Sequence, residues 1–283
     1  MGKRRMALLC LAVLLAAAGC EKNQEKEEEK KPKQETFSFR DVVGNEYEAP
    51  LLEGLERSGY DYSRLMEKDG YRYYTDQKGK IVSRIGIDVS RYQTDIDWQA
   101  VKNSGIEFAV IRLGYRGYGA EGKLMLDEQY QNHIEGAVGA GLDVGVYFFS
   151  QAVTEKEALE EAEFVLHHLK GYPVKGPVVF DTEEVKGADA RANGLDKEQY
   201  TRHCAVFGEA VKKAGYEPMI YANMKWFAYS LDLTKLQDFK IWYADYEPVP
   251  QFPYQFQMWQ YTEKGSVPGI EGNVDLNLWF PEE

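Results

Sequence analysis

Pro177-Val178-Val179-Phe180-Asp181-Thr182-Glu183-Glu184 is a short apolar run of strand-forming residues that ends in three carboxylates. An unbroken apolar run of this length reads as a strand buried on both faces, the kind that parallel sheets contain. Side chains alternate along a strand, so Asp181 and Glu183 face one way and Thr182 and Glu184 the other. Two carboxylates side by side at the end of a buried strand repel each other and lose hydration. They lower stability, and at least one pKa is displaced upward. Such a pair meets the requirement for an acid beside a charge stabiliser, as in glycoside hydrolysis. The competing explanation is a solvated strand end with ordinary surface acids.

Outward from this strand, residues 85–283 alternate strands and helices. Ile85–Val89, Phe108–Leu113, Val144–Phe149, Pro218–Tyr221, Lys240–Tyr243, Phe256–Gln260 and Asn273–Leu278 read as further strands. Helices are predicted from near Asp97, over Glu128–Ala140, over Thr154–Leu169 with a capping box of Thr154 and Glu157, and over Lys197–Ala214. The pattern predicts an α/β fold, an irregular TIM-like (β/α) barrel with reduced helices in its last third. Residues 36–84 differ in character. Thr36–Phe39 reads as a strand, Leu51–Met66 has scattered helical periodicity, and Tyr71–Tyr74 pairs with Lys80–Arg84 around Asp76–Gly79 as a hairpin. This stretch is expected to be a small N-terminal appendage packed on the barrel, and the sequence assigns it no function.

Residues 1–19 carry Lys3, Arg4 and Arg5, an apolar run from Met6 to Ala18 and the small residues Ala17-Ala18-Gly19, followed by Cys20. This is a secretory leader, too short for a spanning helix. Its end resembles a bacterial lipobox, with Ala17 where leucine is usual, which implies cleavage before Cys20 and a lipid on its thiol. Residues 20–35 are Glu, Lys, Gln and Asn around one proline, with nothing to bury, so a disordered charged tether is expected. A lipid-anchored location in the cell envelope follows. Cys204 is then the one thiol left beyond the leader and Cys20, so no intramolecular disulfide is available. Residues 1–35 together are net +2, so residues 36–283 carry −14 against the chain's net −12. That balance argues against nucleic acid as a partner. His133, His167, His168 and His203 lack metal-ligand spacing and read as surface or half-buried helix residues. Gly114–Gly119 lacks the lysine and helix start of a phosphate loop. No metal or cofactor is expected, and a monomer is.

Ile85-Gly86-Ile87-Asp88-Val89-Ser90-Arg91-Tyr92-Gln93, set beside Asp181 and Glu183, resembles family 25 glycoside hydrolases, the N-acetylmuramidases also called Chalaropsis-type lysozymes. The resemblance continues through Asp95-Ile96-Asp97-Trp98, Arg112-Leu113-Gly114-Tyr115, Tyr147-Phe148-Phe149-Ser150, Ile241-Trp242-Tyr243-Ala244, Met258-Trp259-Gln260-Tyr261 and Gly272-Asn273-Val274-Asp275-Leu276. It implies an eight-stranded barrel acting on peptidoglycan glycan strands at the β-1,4 bond between N-acetylmuramic acid and N-acetylglucosamine. It implies Glu183 as general acid and Asp181 as stabiliser of charge on the sugar or its acetamido group, with Asp88 and Asp275 completing the cluster. Asp181 and Glu183 stand side by side and not across a sugar ring, which favours assistance by the substrate's acetamido oxygen over an enzyme-bound intermediate. Aromatic faces at strand ends suit sugar stacking. Tyr115, Tyr147, Tyr221 and Trp242 are the candidates, with Gln260 and Arg112 as polar contacts.

Two other readings compete. A chitinase-like hydrolase of acetamido sugars carries a further aspartate two residues before the first of the pair, where this chain has Val179. A non-catalytic cell-wall-binding lipoprotein would be expected to have lost Glu183 or Asp181.

Overall fold

The structure is a computed structural model that describes residues 34–281, so the leader, Cys20 and nearly all of the tether lie outside the described residues. From Glu35 onward the chain is one compact unit. It opens with two antiparallel hairpins. Strands β1 (Thr36–Arg40) and β2 (Glu46–Pro50) form the first. Strands β3 (Leu65–Lys68) and β4 (Tyr71–Tyr74) form the second. The turn of the second is Asp69-Gly70, both at positive φ (54° and 82°), as a two-residue hairpin turn with the right twist requires.

One expectation for this region holds in part and one is corrected. β4 pairs along its length with β3 through the tight Asp69-Gly70 turn, and only its end meets residues 80–83, where the Tyr74 carbonyl accepts from the N–H groups of Val82 and Ser83. Asp76 uses its carboxylate on the N–H groups of Lys78 and Lys80, and the Thr75–Ile81 bridge completes this short second turn. Leu51–Met66 is not an α-helix. Gly54, at φ 78°, breaks it early, and a single 3₁₀ turn at Tyr62–Arg64 is its only helical piece. Its apolar residues instead anchor a long connection, with Tyr60 wedged among Tyr74, Phe256 and Phe280.

The barrel has eight strands: β5 (Arg84–Val89), β6 (Phe108–Arg116), β8 (Asp143–Phe149), β9 (Val178–Asp181), β10 (Pro218–Asn223), β11 (Lys240–Ala244), β12 (Met258–Gly265) and β13 (Val274–Trp279). A short β7 (Leu124–Leu126) folds back on β6 outside the ring. All neighbours from β5 to β12 run parallel. β13 runs antiparallel to both β12 and β5 and closes the ring. Helices α1 (Trp98–Asn103), α2 (Tyr130–Gly139), α3 (Glu155–His168) and α4 (Lys197–Lys213) follow β5, β6, β8 and β9. After β10 only the short α5 (Met224–Tyr229) remains.

The two longest helices, α3 and α4, begin where a side chain satisfies free backbone N–H groups, whereas α2 has no side-chain cap. At α3, Thr154 caps Glu157, but the Glu157 carboxylate turns to the N–H of Val153 and to Arg191, so the expected box is only half made. The reciprocal box is at α4, between Asp196 and Gln199. Cys204 is buried in α4, and burial pushes its thiol pKa up. His133 and His203, expected nearer the surface, are buried as well, because they lie on the barrel-facing sides of α2 and α4.

Inside the ring, Phe108, Val110, Val179, Met219, Trp242 and Met258 pack as a plug. Gly86 permits this. A Cβ there would sit 2.3 Å from the Phe108 ring.

Candidate active site

The parallel strands deliver their C-terminal ends to one mouth, and four carboxyls meet there. Asp88 and Asp275 are direct register partners across β5 and β13. Asp181 ends β9 beside Tyr221 of β10. Asp88 and Asp181 are buried, whereas Glu183, just past its strand, and Asp275 are half-buried. Alternation therefore puts Asp181 and Glu183 on the inner side, while Thr182 accepts a hydrogen bond from the Trp226 indole and Glu184 is exposed.

The layer beneath holds Asp88 in place. Its Oδ2 accepts from Asn277 Nδ2 at 2.7 Å and Gln260 Nε2 at 3.0 Å. Asn277 Oδ1 accepts in turn from Trp242 Nε1 at 2.8 Å. Gln260 Oε1 accepts from the hydroxyls of Tyr221 (3.0 Å) and Tyr246 (3.1 Å).

Burial raises the pKa of all four acids. Asp181 is pushed further by the charges of Glu183 and Asp88, and its Oδ1 is buried with no hydrogen-bond partner. Glu183 is raised by burial, opposed by its bond to Asp181 and by the Lys186 charge. Burial raises Asp88, against the donors Asn277 and Gln260. Asp275 is pushed up to about 9 by burial and the Asp88 charge. Asp88 and Asp275 act on each other's ionisation, as do Asp181 and Glu183, and like charges in so buried a cluster disfavour full ionisation of either pair. Such an arrangement can donate a proton to a bound oxygen while keeping a negative charge beside it.

The structure sorts the sequence-derived contact residues by depth. Tyr147 and Tyr221 sit among the acids, and burial with nearby carboxylate charge raises both phenols. Arg112 donates from Nε to the buried Asp127 at 2.6 Å and lowers the Asp181 pKa through its charge. Tyr115 is at the rim, with Arg91 and Arg112 against its ring at 5.7 and 5.6 Å. Trp242 and Gln260 are corrections. They are 1% and 3% exposed, and their polar atoms are committed to Asn277, Asp88, Tyr221 and Tyr246, so they form the floor and present no face to a sugar.

Sequence reasoning missed Tyr246 and Asn277. Both carried a period-two signal, Asn277 two residues after Asp275, and Tyr246 two after Ala244 and four after Trp242. The cleft over Glu183 has a volume of ≈ 480 Å³ and is lined by Tyr221, Trp226, Tyr246 and, from the β1–β2 turn, Asp41, Val42 and Val43. A separate apolar hollow of ≈ 250 Å³ between Leu55, Leu236 and Phe252 holds none of the four acids.

A parallel barrel whose mouth gathers paired carboxyls under a tyrosine rim has the make-up of a glycoside hydrolase. The chain belongs to glycosyl hydrolases family 25, whose model matches residues 87–270. It is 27% identical over 193 residues to the autolytic lysozyme of Clostridium acetobutylicum, covering 68% of this chain and 54% of that protein. It is also 27% identical over 203 residues to lysozyme M1 of Streptomyces globisporus, covering 68% and 66%. The chain thus spans about half the length of the clostridial relative. Among solved structures, a family 25 glycosyl hydrolase from Bacillus anthracis superposes with a TM-score of 0.60 at 24% identity, over 77% of this chain and 96% of that one. The modular autolysin LytC of Streptococcus pneumoniae, in complex with a synthetic peptidoglycan ligand, gives 0.63 at 22% identity, over 86% and 56%. That 86% exceeds what the barrel residues make up, so the likeness in fold reaches into the N-terminal hairpins.

Proposed function

We propose that this protein is a peptidoglycan muramidase that cleaves the β-1,4 bond between N-acetylmuramic acid and N-acetylglucosamine. The observation that carries the reading is the placement of Asp181 and Glu183 at the end of β9, at the mouth of a family 25 barrel beside the register partners Asp88 and Asp275. Glu183, the more exposed of the pair, gives its proton to the glycosidic oxygen as the bond to the muramic carbon breaks. Asp181 keeps its negative charge towards the acetamido group, whose oxygen attacks the same carbon. Glu183, now a carboxylate, takes a proton from the water that opens the resulting ring, and the reducing sugar is released. The raised pKa of Glu183 fits a general acid, which must hold its proton near neutral pH. The charged role falls to Asp181 by its deeper position, its own pKa being raised too. Asp88 and Asp275 keep the mouth negative, and Tyr147 and Tyr221 bound the sugar site. A lipid on Cys20 would hold the enzyme at the membrane of the cell envelope, within reach of the wall.

The test is digestion of purified peptidoglycan by the wild type and Glu183→Gln. New reducing ends at muramic acid are expected, falling about 10²–10⁴-fold in the variant, the usual weight of a general acid. Reducing ends at N-acetylglucosamine would place the enzyme in another specificity class. Binding by both proteins without release would make it a wall-binding protein.

A further inference from the structure

The cleft over Glu183 is not built from the barrel alone. The β1–β2 turn contributes Asp41, Val42 and Val43 to its wall, and all three precede residues 87–270. The hairpin is fixed to the barrel at several points. Tyr229 of α5 donates from its hydroxyl to the Glu48 carbonyl at 3.0 Å. Gln251 bonds both the N–H and the carbonyl of Arg40 and donates to the buried Asp245. Tyr47 is held between Phe39, stacked at 5.5 Å, and Tyr229, edge-on at 6.1 Å. On its ring lies the ammonium of Lys225, at 4.8 Å from the centroid.

Lys225 therefore has a position dictated by the appendage. A cation over an aromatic face is held with little loss of freedom left to pay on binding. It opens into the same cleft as Glu183, as does Lys186. Neither lysine forms an ion pair among the described residues, although Asp41, Glu184 and Glu263 line the cleft with them. The molecule as a whole is acidic, with a net charge of −12. The cleft is itself lined by four carboxylates, so the two ammonium groups, neither in an ion pair among the described residues, are the points in it that suit an anionic group of a ligand.

We propose that Lys225, propped on Tyr47 of the N-terminal hairpin and joined by Lys186, is a carboxylate-reading subsite that selects glycan strands bearing anionic groups. This inference rests on the muramidase reading and names the substrate feature it recognises. On peptidoglycan the carboxylate has two sources, the lactyl acid of a bare muramic residue and the stem peptide attached there.

The experiment compares wild type, Lys225→Ala and Lys225→Arg on three glycans: peptide-bearing strands, amidase-stripped strands with free lactyl carboxylates, and stripped strands whose carboxylates are methyl-esterified. The readouts are KM and kcat, with Kd measured on each glycan in the Glu183→Gln background. Lys225→Ala should reduce the preference for charged over esterified strands about tenfold, through KM and Kd and not kcat, the weight of one charge-assisted contact. Lys225→Arg should keep the preference. Loss on peptide-bearing strands alone assigns the stem carboxylate, and loss on stripped strands assigns the lactyl one. Equal loss on the esterified strands, or no change in the ratio, overturns the proposal. If wild type releases no muramic reducing ends, the muramidase reading fails, while the Kd ratio still decides this one.

Discussion

Asn277 is a neutral residue on which a charged site depends. Its amide N–H holds Asp88 Oδ2 at 2.7 Å, and its carbonyl oxygen takes the indole N–H of Trp242, all of it fully buried. Asn277→Leu keeps the bulk, strands the Trp242 indole N–H and leaves Asp88 Oδ2 with Gln260 alone. It should cost about 1–3 kcal/mol in urea unfolding, the penalty for buried polar groups left unmade. Asn277→Leu with Trp242→Phe should recover part of that loss, because the stranded indole is gone. An additive result would show that the two do not interact. Asp181 and Glu183 were legible in the sequence, since carboxylates at the end of an apolar strand have no reason in packing to be there, whereas Asp88 and Asp275 came from the family resemblance. The depth of their neighbours was not legible. Alternation tells which side chains face into a barrel, but not at which level along its axis they stop. That is why Trp242 and Gln260 were read as sugar contacts although they lie one layer too low, while Tyr246 and Asn277, on the same inward-facing rows, went unread.

Among the elements, β5 carries the sharpest constraint. Gly86 leaves the space into which the Phe108 ring lies, and Gly86→Ala would bring a Cβ to 2.3 Å from it. The ring cannot retreat into a packed barrel interior, so the substitution should cost about 1–3 kcal/mol and lower Tm by about 2–6 °C, measured by thermal unfolding. Combining it with Phe108→Leu should restore most of the loss. Long elements with caps were plain in the sequence, and the barrel class followed from them, though not the antiparallel run of β13. The hairpin partner of β4 was not plain, because Asp69-Gly70 and Asp76–Gly79 are both turn signals. Only the pair with two positive φ values closes a two-residue hairpin. Residues 51–66 misled for another reason. Their apolar side chains serve as separate anchors along an irregular path, and their spacing matches a helix without forming one.

At the scale of the whole molecule, buried acids set the response to pH. Asp275 is raised to about 9, Glu161 of α3, buried against Arg116, to about 7, and Asp245 to about 6, each chiefly by burial. Through these acids the folded state binds more protons than the unfolded chain from about pH 4 upward, and stability falls as pH rises through these values, against the opposite pull of the buried His133 and His203, whose pKa burial lowers. Below that range Asp61, Asp76 and Asp232, held low by hydrogen bonds involving Ser63, Lys80 and Thr234, act in the opposite sense. Tm should therefore be higher at pH 5 than at pH 8, and Glu161→Gln should flatten the slope between about pH 4.5 and 7. A Tm that climbs steadily from pH 5 to pH 8 would contradict this balance. The antiparallel strand β13 has a consequence of a different kind. By lying between β12 and β5 it sets Asp275 against Asp88, residues at opposite ends of the barrel sequence. A growing chain that has made Glu183 but not residues 274–279 has neither its ring closed nor its second acid pair. The proposed chemistry then has to wait for the last strand, and the order of synthesis itself serves as a safety catch.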